Sequence, residues 1–167
     1  MKSVPACSTK FVITITLILL LLTFAFGCSQ DREHRVTFQQ LFSNPDQYDG
    51  KEISLEGFFF HGFEIVVLSE GLGYSEFTQG HLVPKGRMIW IEGKISQNIY
   101  DELYKQEMMG PEERFGKVRV SGKFEYGEKY GHLGNYSSQI IPSTIVIVPW
   151  SPPTIETTQD AAASTAR

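Results

Sequence analysis

Three histidines fall in segments that read as loops: His61, His81 and His132. Imidazole ligates transition metals and exchanges protons near neutral pH, so loop histidines with carboxylates nearby are the first residues to consider for chemistry. Glu64 lies three residues after His61, and Glu128 four residues before His132. If the loops of His61 and His132 border one groove, these acids could complete a metal site; otherwise the histidines are ordinary exposed loop residues. The segment His132-Leu133-Gly134-Asn135-Tyr136 adds a His-x-x-x-Tyr spacing.

Aromatic residues form a second set. Adjacent strand residues face opposite sides, so Phe58-Phe59-Phe60 cannot all point inward. Likewise, if Ile89 and Ile91 face a core, Met88 and Trp90 face outward. Phe58, Phe60, Met88 and Trp90 are therefore ligand-face candidates, with Trp90 able to stack on a sugar, a base or a peptide side chain. The competing expectation is that the N-terminal helix or the 70–86 segment covers this surface. Catalytic patterns are missing: the sequence has no nucleophile elbow, His-Glu-x-x-His, phosphate-cradling loop or Cys pair. Gly71-Leu72-Gly73 lacks the setting of a dinucleotide loop, and Glu112-Glu113, after Gly110-Pro111, reads as a solvated turn. A non-catalytic protein with no cofactor is expected. A metal or haem carrier using His61, His81, His132 and Tyr136 is one alternative, and a structural envelope protein whose aromatic surfaces contact another protein is the other.

Charge narrows the partners. The chain carries 15 Lys and Arg against 19 Asp and Glu, net −4, and its bases are scattered. Nucleic-acid binding needs clustered positive charge, which argues against that partner.

The first 27 residues do not belong to the folded part. Lys2 and Lys10 precede Phe11–Phe26, an apolar stretch shorter than the ~20 residues a membrane span needs. It ends at Ala25-Phe26-Gly27-Cys28, which resembles the lipobox of bacterial lipoproteins, with Ala25 where that family usually has Leu. The resemblance implies cleavage before Cys28, acylation of its thiol, and a protein held on the extracytoplasmic side of the cell or outer membrane. Another envelope protein or a small ligand would be its partner there. Of the two cysteines, Cys7 would leave with the leader. An unpaired Cys28 in a secreted chain then has an explanation. An uncleaved anchor is the other reading of this segment.

The expected organisation is a signal peptide over 1–27, a polar tether over 28–35, a domain over 36–150 and a disordered tail over 151–167. Thr37 and Gln40 form a capping-box pattern before a short helix that Asn44-Pro45 ends. Strands are expected at 51–60, 64–69, 87–92, 117–126 and 139–148, with long glycine-rich loops at 70–86 and 127–137. A helix is expected at 97–109, where Ile99, Leu103 and Met108 recur at helical spacing. Gly57 and Gly122 sit inside strands and suggest bulges or bends. Five strands with a helix between the third and fourth match the order of an OB barrel, so the fold class is mainly β, a five-stranded OB-like barrel with a short N-terminal helix. The segment Asn44-Pro45-x-x-Tyr48-x-Gly50-Lys51-x-Ile53-x-Leu55-x-Gly57 resembles the entry to the first strand of small bacterial OB-fold lipoproteins. His132-x-x-x-Tyr136 is similar to the haem-attachment motif of the membrane-anchored OB-fold haem chaperone. There, however, the motif follows the last strand, and here a strand follows it.

Overall fold

Alternation of apolar and polar residues places the strands, and the folded chain follows it. The computed structural model describes residues 34–107, 110 and 112–154, which fall within the unit Glu33–Arg167. The leader, Cys28, most of the tether and residues 155–167 lie outside the described residues. Among the described residues, no helix is long and apolar enough to cross a membrane.

The protein is mainly β. Strand β1 (Arg35–Val36) leads into helix α1 (Phe38–Ser43). The Thr37 side chain accepts from the Gln40 N–H, and the Gln40 side chain accepts from the Thr37 N–H at 2.9 Å, completing the capping box. After a 3₁₀ turn at Pro45–Gln47 come β2 (Glu52–Gly62), β3 (Ile65–Tyr74) and β4 (Leu82–Ile91). Helix α2 (Gln97–Glu102), β5 (Tyr104–Gln106), β6 (Glu113–Tyr130) and β7 (Tyr136–Ile147) complete the order.

Among the described residues, seven strands join one sheet in the order β1-β2-β3-β4-β7-β6-β5, and β6 pairs again with β2. The five long strands thus make a circuit of hydrogen-bonded neighbours that returns to its start. Its pairings are antiparallel except β4–β7, which is parallel and joins Trp90 to Gln139 and Ile91 to Ile140. Among the described residues the strand count is seven, not five. The two short additions are β1, parallel to β2 at Ser54 and Leu55, and β5, antiparallel to β6 with Tyr104 opposite Phe115.

Three further expectations need correction. The helix at 97–109 stops at Glu102, because Leu103 turns extended (φ −72°, ψ 149°) and buries its side chain in the interior cluster. Tyr104, which helical spacing would set beside Tyr100, is in β5 instead. The loop at 70–86 is mostly strand, since β3 runs to Tyr74 and β4 begins at Leu82. The loop at 127–137 shortens to a turn at 131–135, because β6 runs on to Tyr130.

The two strand glycines act differently. At Gly122 the β6–β7 register shifts, with Pro142 opposite, and a Cβ there would collide with the Ile141 carbonyl. This is the expected bulge. Gly57 lies in an unbroken β2–β6 ladder. It is needed for close approach, because a Cβ would sit 2.8 Å from both the Phe38 ring and the Ser69 carbonyl oxygen.

Two apolar clusters result. The first gathers inward residues of the circuit, including Leu55, Phe59, Leu68, Ile89, Val120 and Ile140, with Phe38 and Leu41 of α1 packed in. The second joins Phe60, Val67, Leu82 and Phe115, with Leu72, Tyr74, Met88, Trp90, Tyr136 and Trp150 around them. It forms because the far half of the β3–β4 hairpin folds back across the outer side of β2 and β6. A register break between Ser69 and Gly71 marks the bend. At the far end, the Gln106 side chain accepts from the Leu82 N–H at 3.1 Å and donates to its carbonyl at 2.6 Å. The segment after β7 finishes the cover. The Val148 N–H donates to the Lys117 carbonyl, Tyr104 Oη to the Trp150 carbonyl at 2.9 Å, and Tyr74 Oη to the Pro153 carbonyl at 2.6 Å.

Candidate functional site: a cleft between three loops

The expected ligand face is largely filled by the chain itself. Phe60 is buried, and Phe58 meets Trp150 edge-on with ring centroids 5.1 Å apart. Met88 packs against the second cluster. The 70–86 segment thus does provide cover, as a strand arm and not as a loop, and the C-terminal segment shares the task. Helix α1 packs instead on the interior cluster.

Trp90 has a different neighbour. Its ring lies under the β6–β7 turn, 5.4 Å from Tyr136 between centroids, and so close to Gly131 that a Cβ there would stand 2.6 Å from the indole. The Trp90 Nε1–H donates to Glu92 at 2.9 Å. One ring face is therefore used internally, while an edge of the half-buried residue remains open.

That edge borders a cleft of about 400 Å³, walled by the β2–β3 hairpin, the end of β4 and the β6–β7 turn. His61, Glu64, Trp90, Glu92 and His132 line it. His61 and His132 thus border one groove with Glu64, the arrangement their loop positions suggested. Glu64 and His132 meet across the mouth at 3.3 Å. A second hollow of about 350 Å³ adjoins at His61 and Val66 and reaches Phe59, Ile95 and Tyr100, with Lys94 on its rim. Burial holds the His61 imidazole below the ordinary histidine pKa, which keeps it neutral at pH 7. Its ring stands 5.5 Å from that of Tyr100, whose phenol burial pushes upward in pKa.

Two backbone features single out the same loops. Among the described residues, the non-glycine positions with positive φ are Glu64 (59°) and Leu133 (55°). Side-chain-bearing residues rarely adopt this region, and such positions gather at binding and switch sites. Beside them, Phe63 is 69% exposed and Leu133 is 82% exposed.

The remaining candidates separate. His81 is buried, not exposed, with its Nε2 3.2 Å from Glu113. Gln106 donates to the same carboxylate at 2.7 Å, so the three side chains pin the folded arm to β5 and β6. Glu113 is accordingly no solvated turn; Glu112, beside it, pairs with Arg114. Tyr136 packs on Trp90, while His132 turns to Glu64. Among the described residues, no three His, Cys, Asp or Glu side chains are grouped to hold a metal. Sequence reasoning missed Glu92, Lys94 and Gly131. Glu92 had one available signal, since it follows Trp90 by two residues in a strand and so shares its face.

Set against protein-family models, curated proteins and solved structures, the chain matches none, and the reading of this cleft rests on its own geometry.

Proposed function

We propose that this protein is a lipid-anchored, extracytoplasmic binding module of the OB type, without catalysis of its own, and that its ligand enters the cleft between the β2–β3 hairpin, the end of β4 and the β6–β7 turn. The observation that carries the reading is the convergence of three loops on one lined hollow at the end of a closed strand circuit. The strand connectivity supports the OB assignment: consecutive antiparallel long strands, a parallel β4–β7 pairing and a β6–β2 return. In such barrels the loops between the first and second, and fourth and fifth, strands flank the ligand. Here those loops hold Glu64 and His132. The outer aromatic surface is a poorer candidate, since Phe58, Phe60 and Met88 already have partners within the chain.

The anchor reading rests on the leader and Cys28. Mass spectrometry of the mature N-terminus from the native host should find acylated Cys28, and an unprocessed Met1 terminus would overturn it. The cleft reading is tested by native mass spectrometry of the chain extracted in mild detergent. A bound species should be retained by the parent and lost from a Glu64→Gln/Glu92→Gln variant. Equal retention by the two proteins would move the site elsewhere.

A further inference from the structure

The lining of the cleft and its rim together specify a kind of partner. Glu64 and Glu92 bring two carboxylates to the cleft, and no Lys or Arg lines it. Glu92 accepts from the Trp90 indole N–H and Glu64 faces His132. A carboxylate has about four acceptor positions, so each keeps capacity for a further donor. His61 adds no positive charge at neutral pH, because burial lowers its pKa. Lys94 lines the adjoining hollow and not this one. Outside the mouth, Phe63 and Leu133 stand on opposite walls and expose apolar side chains to water. Backbone at positive φ holds the loop at Glu64, next to Phe63, and Leu133 itself.

We infer that the cleft docks a segment of another polypeptide, taking a Lys or Arg side chain between Glu64 and Glu92 while Phe63 and Leu133 grip apolar residues on either side of it. The inference rests on the cleft being the binding site and names its partner class. A charged amine fits the carboxylates, its aliphatic stem fits the Trp90 edge, and hydrogen bonds to charged groups are among the stronger polar contacts. A small amine would fill the cleft without touching the loop tips. The two exposed apolar tips therefore favour a chain that extends beyond the mouth.

The test is chemical-shift titration of the isotope-labelled full-length chain in detergent. The probes are acetyl-Leu-Lys-Leu-amide, its Glu and norleucine counterparts, and n-butylammonium. The lysine peptide should shift the Gly62, Gly131 and Trp90 indole signals saturably, at least tenfold more tightly than the other three probes. Glu64→Gln/Glu92→Gln should weaken the lysine peptide and butylammonium alike. Phe63→Ser/Leu133→Asn, changed only at exposed side chains, should lower the peptide to the affinity of butylammonium and leave butylammonium unaffected. Equal binding of the acidic or norleucine peptide would overturn the role of charge. Butylammonium binding as tightly as the peptide, or an unaltered peptide affinity in the loop-tip variant, would overturn the polypeptide partner. If no probe shifts the cleft signals while the native species is still lost from the Glu64→Gln/Glu92→Gln variant, this inference fails and the cleft remains the site.

Discussion

Replacing Gly131 by Ala puts the architecture of the cleft under direct strain. Gly131 has φ 69° and ψ −165°, a combination that essentially only glycine adopts and that costs other residues about 1–3 kcal/mol. The added methyl would also stand 2.6 Å from the Trp90 ring and 2.8 Å from Tyr136. Relief means displacing an indole that is hydrogen-bonded to Glu92 and packed at a tilt against Tyr136, and overpacking of this kind costs about 1–3 kcal/mol. The two contributions together predict a loss of about 2–6 kcal/mol in urea unfolding. A shift in Trp90 fluorescence should accompany it, read in a Trp150→Phe background where Trp90 is the sole indole. Gly134→Ala is the control. Gly134 also has positive φ (67°), but its methyl would meet only the flexible Lys129 side chain at 3.0 Å, so the loss should be about 1 kcal/mol with Trp90 emission unchanged. Equal effects of the two substitutions, or an unchanged Trp90 signal in Gly131→Ala, would refute the seating of the indole beneath the turn.

Other consequences can be measured in the same way. Trp150→Ala removes edge contacts with Phe58, Tyr104 and Phe115. Because the residue is half-buried, the expected loss is about 2–3 kcal/mol, below the range for a fully buried aromatic, and a thermal melt within 1 °C of the parent would remove the C-terminal segment from the fold. His81→Ala strips a partner from the half-buried Glu113–Gln106 pair and should cost about 1–3 kcal/mol, equally with and without a chelator; a chelator-dependent difference would make His81 a metal ligand. His61 has a folded-state pKa below its ordinary value of 6.5, so the unfolded chain binds its proton more readily. Its contribution to stability is therefore full above about pH 6.5 and declines as pH falls toward the depressed folded value. Urea midpoints between pH 8 and 5 should fall more steeply for the parent than for His61→Gln, and parallel curves would show that His61 is not desolvated.

Local rules explain what could be read from the chain and what could not. The capping box at Thr37 and Gln40, the bulge at Gly122 and the alternation of Ile53 and Leu55 with Glu52, Ser54 and Glu56 depend on residues within a few positions of one another, and all were legible. A groove shared by His61 and His132 was one of two readings that loop placement left open, with Glu64 or Glu128 as its acid, and only the folded chain brings His61, Glu64 and His132 together. The folded arm was not legible, because Gly71, Gly73, Pro84 and Gly86 punctuate it like a loop. Their spatial role shows only after pairing: Gly73 lies beneath the Lys85 side chain, and Gly86, at φ 76°, beneath Glu70, which also binds Arg87. Residues 97–109 misled for a related reason. Their helical spacing is real, but burial of Leu103 and the pairing of Tyr104 with Phe115 override it. The aromatic face was correctly oriented outward, and only long-range packing revealed that Trp150 and Leu82 already occupy it.

The late position of that cover bears on how the protein reaches its folded state. Phe58 and Phe60 leave the ribosome roughly 90 residues ahead of Trp150, an interval of about 5–20 s at ordinary synthesis rates. During this time neither the C-terminal segment nor β7 exists to shield them. The parallel β4–β7 pairing and the β6–β2 return also join distant parts of the chain, and contacts of that kind form slowly. Three consecutive phenylalanines, Phe58-Phe59-Phe60, are thus exposed in a nascent chain that cannot yet finish its sheet. A protein of this design depends on being kept soluble until its last strand and Trp150 arrive, and truncations before Val148 should be recovered as aggregates or degradation products, not as smaller folded domains.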